Sequence, residues 1–436
     1  MHDLVLRLYP LCRSITGDGV RETLEAVAEH IALEVREVPT GTRVLDWTVP
    51  QEWNVRDAYV ADGTGRRVID FRASNLHLVG YSVPVRRRMS LADLRPHLHT
   101  LPEHPSWVPY RTSYYRPTWG FCVASEVLDA LPEGAYDVRI DSTLTDGHLT
   151  YAEHVVPGAV RDEVLVSCHT CHPSLANDNL AAIAIAVALA QHLAQVPRHY
   201  TYRFVFAPGT IGAITWLAQN RDRVGIIRHG VVLACAGDRG RLTYKQSRRG
   251  DAEIDQVLAH VLLASGRQHE IRTFSPYGYD ERQYCSPGFD LGVGCLTRTP
   301  YAEYPEYHTS ADNPDLVAPD CLADTLEVLS RTFSVLDRNR RYVNLCPYGE
   351  PQLGRRGLYR SVGGRSDAEA AQLAMLWVLS MSDGGNSLLE IALRSGFSFE
   401  ALSDAADALL TSGLIAAPEP DRHGVPPDVC PSVSTA

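Results

Sequence analysis

Two histidines, two cysteines and an aspartate fall within eleven residues of the run Cys168-His169-Thr170-Cys171-His172-Pro173-Ser174-Leu175-Ala176-Asn177-Asp178-Asn179. Imidazole, thiolate and carboxylate are the ligand types that zinc takes. The apolar run Val164-Leu165-Val166 leads in, and an apolar helical stretch from Leu180 to about Val196 leads out. A strand that hands over to a helix in this way sets its last side chains at the carboxyl edge of a sheet, where open α/β sheets hold ligands. Cys168 to His172 also fits the C-x-x-C-H haem-attachment pattern. The setting between a buried strand and a helix, with only four Met in the chain as further axial ligands, argues against it. A metal held by His172 and Asp178 is the competing reading. The bland alternative is a turn in which Asn177 or Asp178 only caps the following helix.

Three later strand ends carry polar clusters. Tyr202 to Ala207 ends in Pro208-Gly209-Thr210-Ile211-Gly212, Val231 to Cys235 ends in Ala236-Gly237-Asp238, and Val293 to Leu296 leads to Tyr301 through Asn313, which contains His308. His172, Asp178, Asp238 and His308 therefore come from strand ends or the loops after them. Such convergence suits a zinc site with an open coordination position. Glu303 and Glu306 flank Tyr301, Tyr304 and Tyr307 beside His308 and could hold a substrate ammonium through charge and cation–π contact. Arg248 and Arg249 could grip a substrate carboxylate bidentately, or pair with the excess of acids.

The elements that must position these groups follow a βαβ rhythm. Residues 1–40 read as one helix, from Gly19 to about Ile31, and one strand, from Leu33 to Val38. Residues 41–120 hold four of the six Trp, many Pro and Tyr, and the hairpin signal Asp62-Gly63, and read as a small β-rich insert. Residues 121–345 alternate strands near Tyr136–Ile140, Val164–Ser167, Tyr202–Ala207, Val231–Cys235, Ile271–Phe274 and Val293–Leu296 with helices near 180–196, 213–221, 252–265 and 320–336. The expected fold is α/β: residues 1–40 and 121–345 form a mostly parallel central sheet flanked by helices, interrupted by the 41–120 insert. Residues 366–418 read as a winged-helix-like unit, and 419–436 as a Pro-rich disordered tail.

The chain of 436 residues has 45% hydrophobic and 21% charged residues and a net charge of −11. That acidity disfavours nucleic acid as the main partner. Between 366 and 415 seven acids (Asp367, Glu369, Asp383, Glu390, Glu400, Asp404, Asp407) face one base, Arg394, so the helical unit reads as a protein-contact or oligomer-forming module rather than a DNA reader. No membrane span and no secretory signal are evident. The ten Cys are expected to be reduced thiols in the cytoplasm.

The motifs Cys12-Arg13-Ser14-Ile15-Thr16-Gly17, Asp46-Trp47-Thr48-Val49-Pro50, Cys171 to Asn179, Ser247-Arg248-Arg249-Gly250, Asp280 to Phe289 and Tyr307 to Asn313 span nearly the whole chain. They resemble the aminopeptidase-like proteins of the zinc-dependent exopeptidase superfamily, in particular a bacterial branch with a β-rich insert and a C-terminal winged helix. The resemblance implies that His172 binds one zinc, Asp178 bridges two, His308 binds the second and Asp238 supplies a further carboxylate. It also implies two adjacent glutamates, a general base and a ligand, where this chain has Gly209 and Thr210. Their absence points to one zinc rather than two and leaves the base open. Glu281 is the first candidate as base or amine-binding group, with an ion pair to Arg282 or another arginine as its plain alternative. Glu306, Glu303 and Asp280 follow, and Arg248, Glu303 and Tyr307 are candidate substrate contacts. The expected activity is zinc-dependent, aminopeptidase-like hydrolysis of a small amide or short peptide with a free amine. Alternatives are a metal-binding scaffold that docks a partner, or acyl transfer and cyclisation on one zinc, as in the related glutaminyl cyclases.

Overall fold

Near-continuous apolar runs make strands that are buried on both faces. The run Glu163–His169 is buried at every position, and in the computed structural model, which describes residues 1–358 and 366–418, it lies inside an eight-stranded sheet. The strands are β1 (Glu34–Pro39), β2 (His148–Val156), β3 (Glu163–His169), β4 (Thr201–Ala207), β5 (Ile227–Leu233), β6 (Leu242–Lys245), β7 (His269–Arg272) and β8 (Val293–Thr297), in the spatial order β1-β2-β4-β3-β5-β8-β6-β7. The four central strands β4, β3, β5 and β8 run parallel. On one side β2 and β1 add antiparallel, and on the other β6 turns antiparallel to β8 and carries β7 parallel to itself. The sheet is thus parallel in the middle and mixed at its edges.

After β3 the chain passes through the apolar helix Ala181–Leu193 to β4 on one side, and then through Ile211–Gln219 to β5 on the other. The winding reverses at β3, so the crevice at its carboxyl end is where this topology places a ligand. A buried guanidinium ties the same strands together: Arg203 of β4 meets Glu163 of β3 at 2.7 Å and also pairs with Glu153 of β2.

The insert extends further than expected. Strands Arg67–Asp70, Glu52–Ala61, Ala135–Thr145 and Val85–Ser90 form a separate antiparallel sheet in that order. The stretch Tyr136–Ile140, expected in the main sheet, belongs here. Its alternation of Tyr136, Val138 and Ile140 inward with Asp137 and Arg139 outward is the pattern of a half-covered antiparallel strand. The chain re-enters the main sheet only through the Asp146-Gly147 turn into β2. A helix at His2–Leu8, absent from the sequence reading, buries Leu4, Val5 and Leu8.

A second unit begins at Phe333. It contains helices Ser366–Met381, Leu388–Ser395 and Phe399–Thr411 and a three-stranded sheet of Asp383–Ser387, Arg341–Asn344 and Ile415–Ala416. Arg341–Asn344, expected in the α/β domain, pairs here, so the boundary falls earlier than 366. Ser387 and Glu390 form a reciprocal cap on the second helix. The tail 419–436 lies outside the described residues. Among the described residues eight cysteines are free thiols. Among the described residues no helix is long and apolar enough to cross a membrane.

Candidate metal centre

Three imidazoles converge on one buried carboxylate. Asp178 is fully buried. Its Oδ1 lies 2.8 Å from His169 Nε2 and 3.8 Å from His172 Nδ1, and its Oδ2 lies 3.1 Å from His308 Nε2. Burial alone would push the Asp178 carboxyl up. The adjoining His172 and His169, with hydrogen bonds from His169 and His308, hold it well below the usual carboxylate range. Each of His169, His172 and Asp178 offers a ligand atom within 4.8 Å of the others.

The elements explain the convergence. His169 is the last residue of β3 and stacks on Tyr279, with ring centroids 4.9 Å apart. The Asn179 amide nitrogen stands 3.2 Å from His169 Nδ1. If it donates there, Nε2 carries the proton toward Asp178. His172 sits in the loop beyond the strand, where its carbonyl accepts a 2.8 Å hydrogen bond from Arg13 Nε, and Arg13 Nη1 reaches Leu8 O at 2.6 Å. Burial pushes the His172 imidazole down to about 3, against the pull of Asp178. It is therefore neutral, the form that binds metal. Its Nδ1 is buried without a hydrogen-bond partner. A buried nitrogen left unpaired and aimed at a carboxylate flanked by two more imidazoles fits a metal ion as its missing partner.

His308 approaches from the loop after β8. It adopts a positive φ of 57° and stacks on Tyr307 at 3.9 Å. The insert reaches the same place through Tyr110. Its backbone N–H donates to His308 O at 2.8 Å, and its ring meets those of His172 and His308 edge-on at 5.4 and 5.0 Å. The Tyr110 hydroxyl lies 3.2 Å from that of Tyr114. Through Tyr110 the insert borders the histidine cluster.

Asp238 is buried, but both its oxygens are taken. They accept from Asn177 Nδ2 at 3.0 Å, from Gly240 N and Thr299 Oγ1 at 2.6 Å, and from Thr299 N at 3.2 Å. It braces Asn177 rather than joining the imidazoles. Asp312 braces the neighbouring backbone, accepting from Asn177 N at 2.6 Å and Asp178 N at 3.1 Å. Burial pushes its carboxyl up to about 7.

At the position of the absent glutamates, Gly209 N lies 3.2 Å from Cys171 Sγ, and a Cβ on Gly209 would stand 3.6 Å from His169 Cβ. Thr210 takes a positive φ of 60° and donates its N–H to Asp280 Oδ1 at 2.7 Å. Burial pushes Asp280 up to about 6, with His169 and Thr210 N opposing. Glu281 is fully buried and ion-paired to Lys245, not to Arg282. Glu303 is bound to Arg272, with a second contact at 2.9 Å. Arg248 pairs with Asp290, and Arg249 reaches the same carboxylate at 3.2 Å. Glu306 is half-buried, and its carbonyl caps Thr309. The structure thus gathers His172, Asp178, His308 and Tyr307, sets Asp238 one layer behind, and gives Glu281, Glu303 and Arg248 charged partners of their own. His169 and Asp312 were not assigned a place in the site from sequence. For His169 the signal was present: it closes the strand whose end was the anchor of the reading.

A parallel-centred sheet with its histidine and aspartate cluster at the switch point defines the class: an aminopeptidase-like fold of the zinc exopeptidase type, followed by a winged helix. A zinc aminopeptidase from Bacillus subtilis superposes with a TM-score of 0.56 at 11% identity, covering 76% of this chain and 93% of that one. A peptidase M28 precursor from Shewanella amazonensis gives 0.55 at 14%, covering 76% and 92%. At these identities the likeness concerns the fold alone. The chain belongs to the family described as a domain of unknown function (DUF4910), whose model matches residues 2–339, and a winged helix-turn-helix model matches 340–417. A Clostridium acetobutylicum protein, provisionally named a polysaccharide biosynthesis protein with aminopeptidase-like domain, is 48% identical over 415 residues, 95% of each chain. A crystal structure of a provisionally named peptidase from the same organism superposes with a TM-score of 0.90 at 46% identity, covering 95% of each chain.

Proposed function

We propose that the chain is a cytoplasmic, zinc-dependent hydrolase of the aminopeptidase type, cleaving a small amide or short peptide with a free amine. The observation that carries this reading is the unpartnered, buried His172 Nδ1 beside Asp178, with His169 and His308 on the same carboxylate. His172, Asp178 and His308 would hold the ion, with His169 either a further ligand or the group that orients Asp178. Bound there, zinc supplies a water acidic near neutral pH and a Lewis acid for a carbonyl. The chain's own groups do the rest. Asp178 keeps its negative charge at all working pH and fixes the imidazoles. Tyr110 and Tyr307 wall the site with ring faces and edges and limit access of bulk water. Asp280, raised to about 6 behind the Thr210 turn, is a buried group able to take up and return a proton near neutrality; Asp312, raised to about 7, is committed to the Asn177 and Asp178 N–H groups. Glu281, neutralised by Lys245, is less suited to that role.

The relative's name ties that protein to polysaccharide biosynthesis, so N-acylated amino sugars, which carry an amide but no free amine, are a second class of substrate to test. The C-terminal unit is assigned a protein-contact or oligomer-forming role, given its seven acids to one base between 366 and 415. The test is elemental analysis with turnover. About one zinc per chain, lost in His172→Ala and His308→Ala, together with zinc-dependent release of amine from an aminoacyl amide or an N-acyl amino sugar, supports the reading. Bound zinc with no turnover of either class would leave a metal-binding scaffold instead.

A further inference from the structure

The insert's four-stranded sheet has an outward face that the candidate metal centre does not use. A concavity of about 460 Å³ opens on it, lined by Arg67, Arg86, Arg87, Arg88, Arg139 and Tyr59, with Asp137 the one acid among its lining residues. The chain as a whole carries a net charge of −11, so this concentration of cations is local. Register makes it costly: Arg86 stands directly opposite Arg139, and Arg88 opposite Asp137. Like charges at opposed cross-strand positions destabilise a sheet.

Neighbouring acids relieve this only in part. Arg139 comes no nearer than 3.7 Å to Asp141, and Arg88 no nearer than 3.9 Å to Asp137. Among the described residues the Arg86 and Arg87 side chains make no hydrogen bond or ion pair. Arg67, by contrast, is fixed. It meets Asp57 at 2.8 Å and Asp70 at 3.0 Å and lies 4.0 Å over the Tyr59 ring, giving the concavity a rigid floor.

We infer that this face binds the diphosphate group of a soluble phosphorylated ligand. Guanidinium forks match phosphoryl oxygens bidentately. Arg86 and Arg139 face each other across a strand pair, roughly 5 Å apart at Cβ, and Arg88 lies two residues along. That layout presents cations to two adjacent anionic centres rather than one. The volume is in the range of small-ligand sites, about 300–1,000 Å³, and accommodates a diphosphate with an attached sugar or nucleoside. A lipid headgroup shares the phosphate chemistry. The surrounding Asp57, Asp70 and Asp141 and the acidic chain would be repelled by an anionic bilayer, which favours the soluble source.

The experiment is calorimetric titration of the full chain with inorganic pyrophosphate at low salt, beside Arg86→Glu and Arg139→Ala and beside phosphatidylglycerol vesicles. One saturable site per chain is expected, weakened at least tenfold by either substitution, with no vesicle binding. Arg86→Glu, which sets a carboxylate against Arg139, is also expected to melt higher than the parent without ligand. Both variants leave the histidine cluster intact, so pyrophosphate binding that survives them resides elsewhere and overturns the assignment. So do absence of saturable binding, vesicle binding that pyrophosphate does not compete, and a lower melting temperature for Arg86→Glu.

Discussion

Replacing His172 by leucine separates a structural histidine from a metal ligand. In the metal-free protein His172 Nδ1 is buried without a partner, and such a group costs roughly 1–3 kcal/mol. Leucine is of similar bulk and removes the nitrogen. Asp178 keeps its hydrogen bonds from His169 and His308, so its charge is not abandoned. The metal-free variant should therefore be no less stable than the parent and up to about 1–3 kcal/mol more stable. For a unit of this size that is a rise of a few degrees, at about 2–4 °C per kcal/mol or less. Zinc offsets this difference by stabilising the parent alone. At a free concentration of about 100 times its Kd it adds about 2.7 kcal/mol to the parent, and this increment should be lost in the variant. The assay is thermal unfolding by circular dichroism on chelator-treated protein, with and without added zinc. A metal-free variant that melts well below the parent while keeping the zinc increment would refute the reasoning, since His172 would then be a satisfied core residue.

Other consequences are open to direct measurement. Arg13→Met removes the hydrogen bonds to His172 O and Leu8 O and should weaken zinc binding about 10–100-fold, as loss of a group that orients a ligand does, read by competition with a chromophoric chelator. Asp280 is raised from 3.8 to about 6. Its contribution to stability is therefore present at low pH and is lost as pH rises from about 4 through 6, by roughly 3 kcal/mol. Asp280→Asn should gain stability relative to the parent across that window in metal-free protein, and an unchanged difference between pH 4 and pH 8 would contradict it. Arg203→Met strands the buried Glu153 and Glu163 and should cost about 3–5 kcal/mol in urea denaturation. Ser387→Ala removes the reciprocal cap and should cost about 0.5–2 kcal/mol, read on the same curves.

The architecture was largely legible because its signals are local. The buried run Val164-Leu165-Val166, the apolar stretch after Leu180 and the alternation of strand and helix patterns beyond it each state their own conformation. The domain edges were harder. Tyr136–Ile140 and Arg341–Asn344 are plain strand sequences, and nothing in a strand's own pattern says which sheet it will join. Pairing is settled by partners distant in sequence: Ala135–Thr145 takes Glu52–Ala61 and Val85–Ser90 as neighbours, and Arg341–Asn344 takes the ends of the second unit.

The site divides in the same way. His172, Asp178 and His308 follow from residue type and from place at a strand end, and the structure brings all three together. Asp238 satisfied the same rule, yet its side chain turns to Asn177, Gly240 and Thr299. The strand-end rule locates a residue near the crevice and leaves its rotamer to whichever donors reach it first. His169 shows the converse. It is the buried last residue of β3, and a buried strand histidine is ordinarily read as packing. What makes it part of the site is that Asp178, nine residues on, returns its carboxylate to the end of that same strand, held there by Asp312 from the loop after β8. The cluster is a property of that return. For this reason Asp312→Asn, which keeps the shape but leaves one of the two backbone N–H groups of Asn177 and Asp178 without an acceptor, should weaken zinc binding although Asp312 is no ligand in the proposed site. Equal zinc affinity in Asp312→Asn and the parent would mean that the Asn177–Asp178 turn holds its shape without that brace.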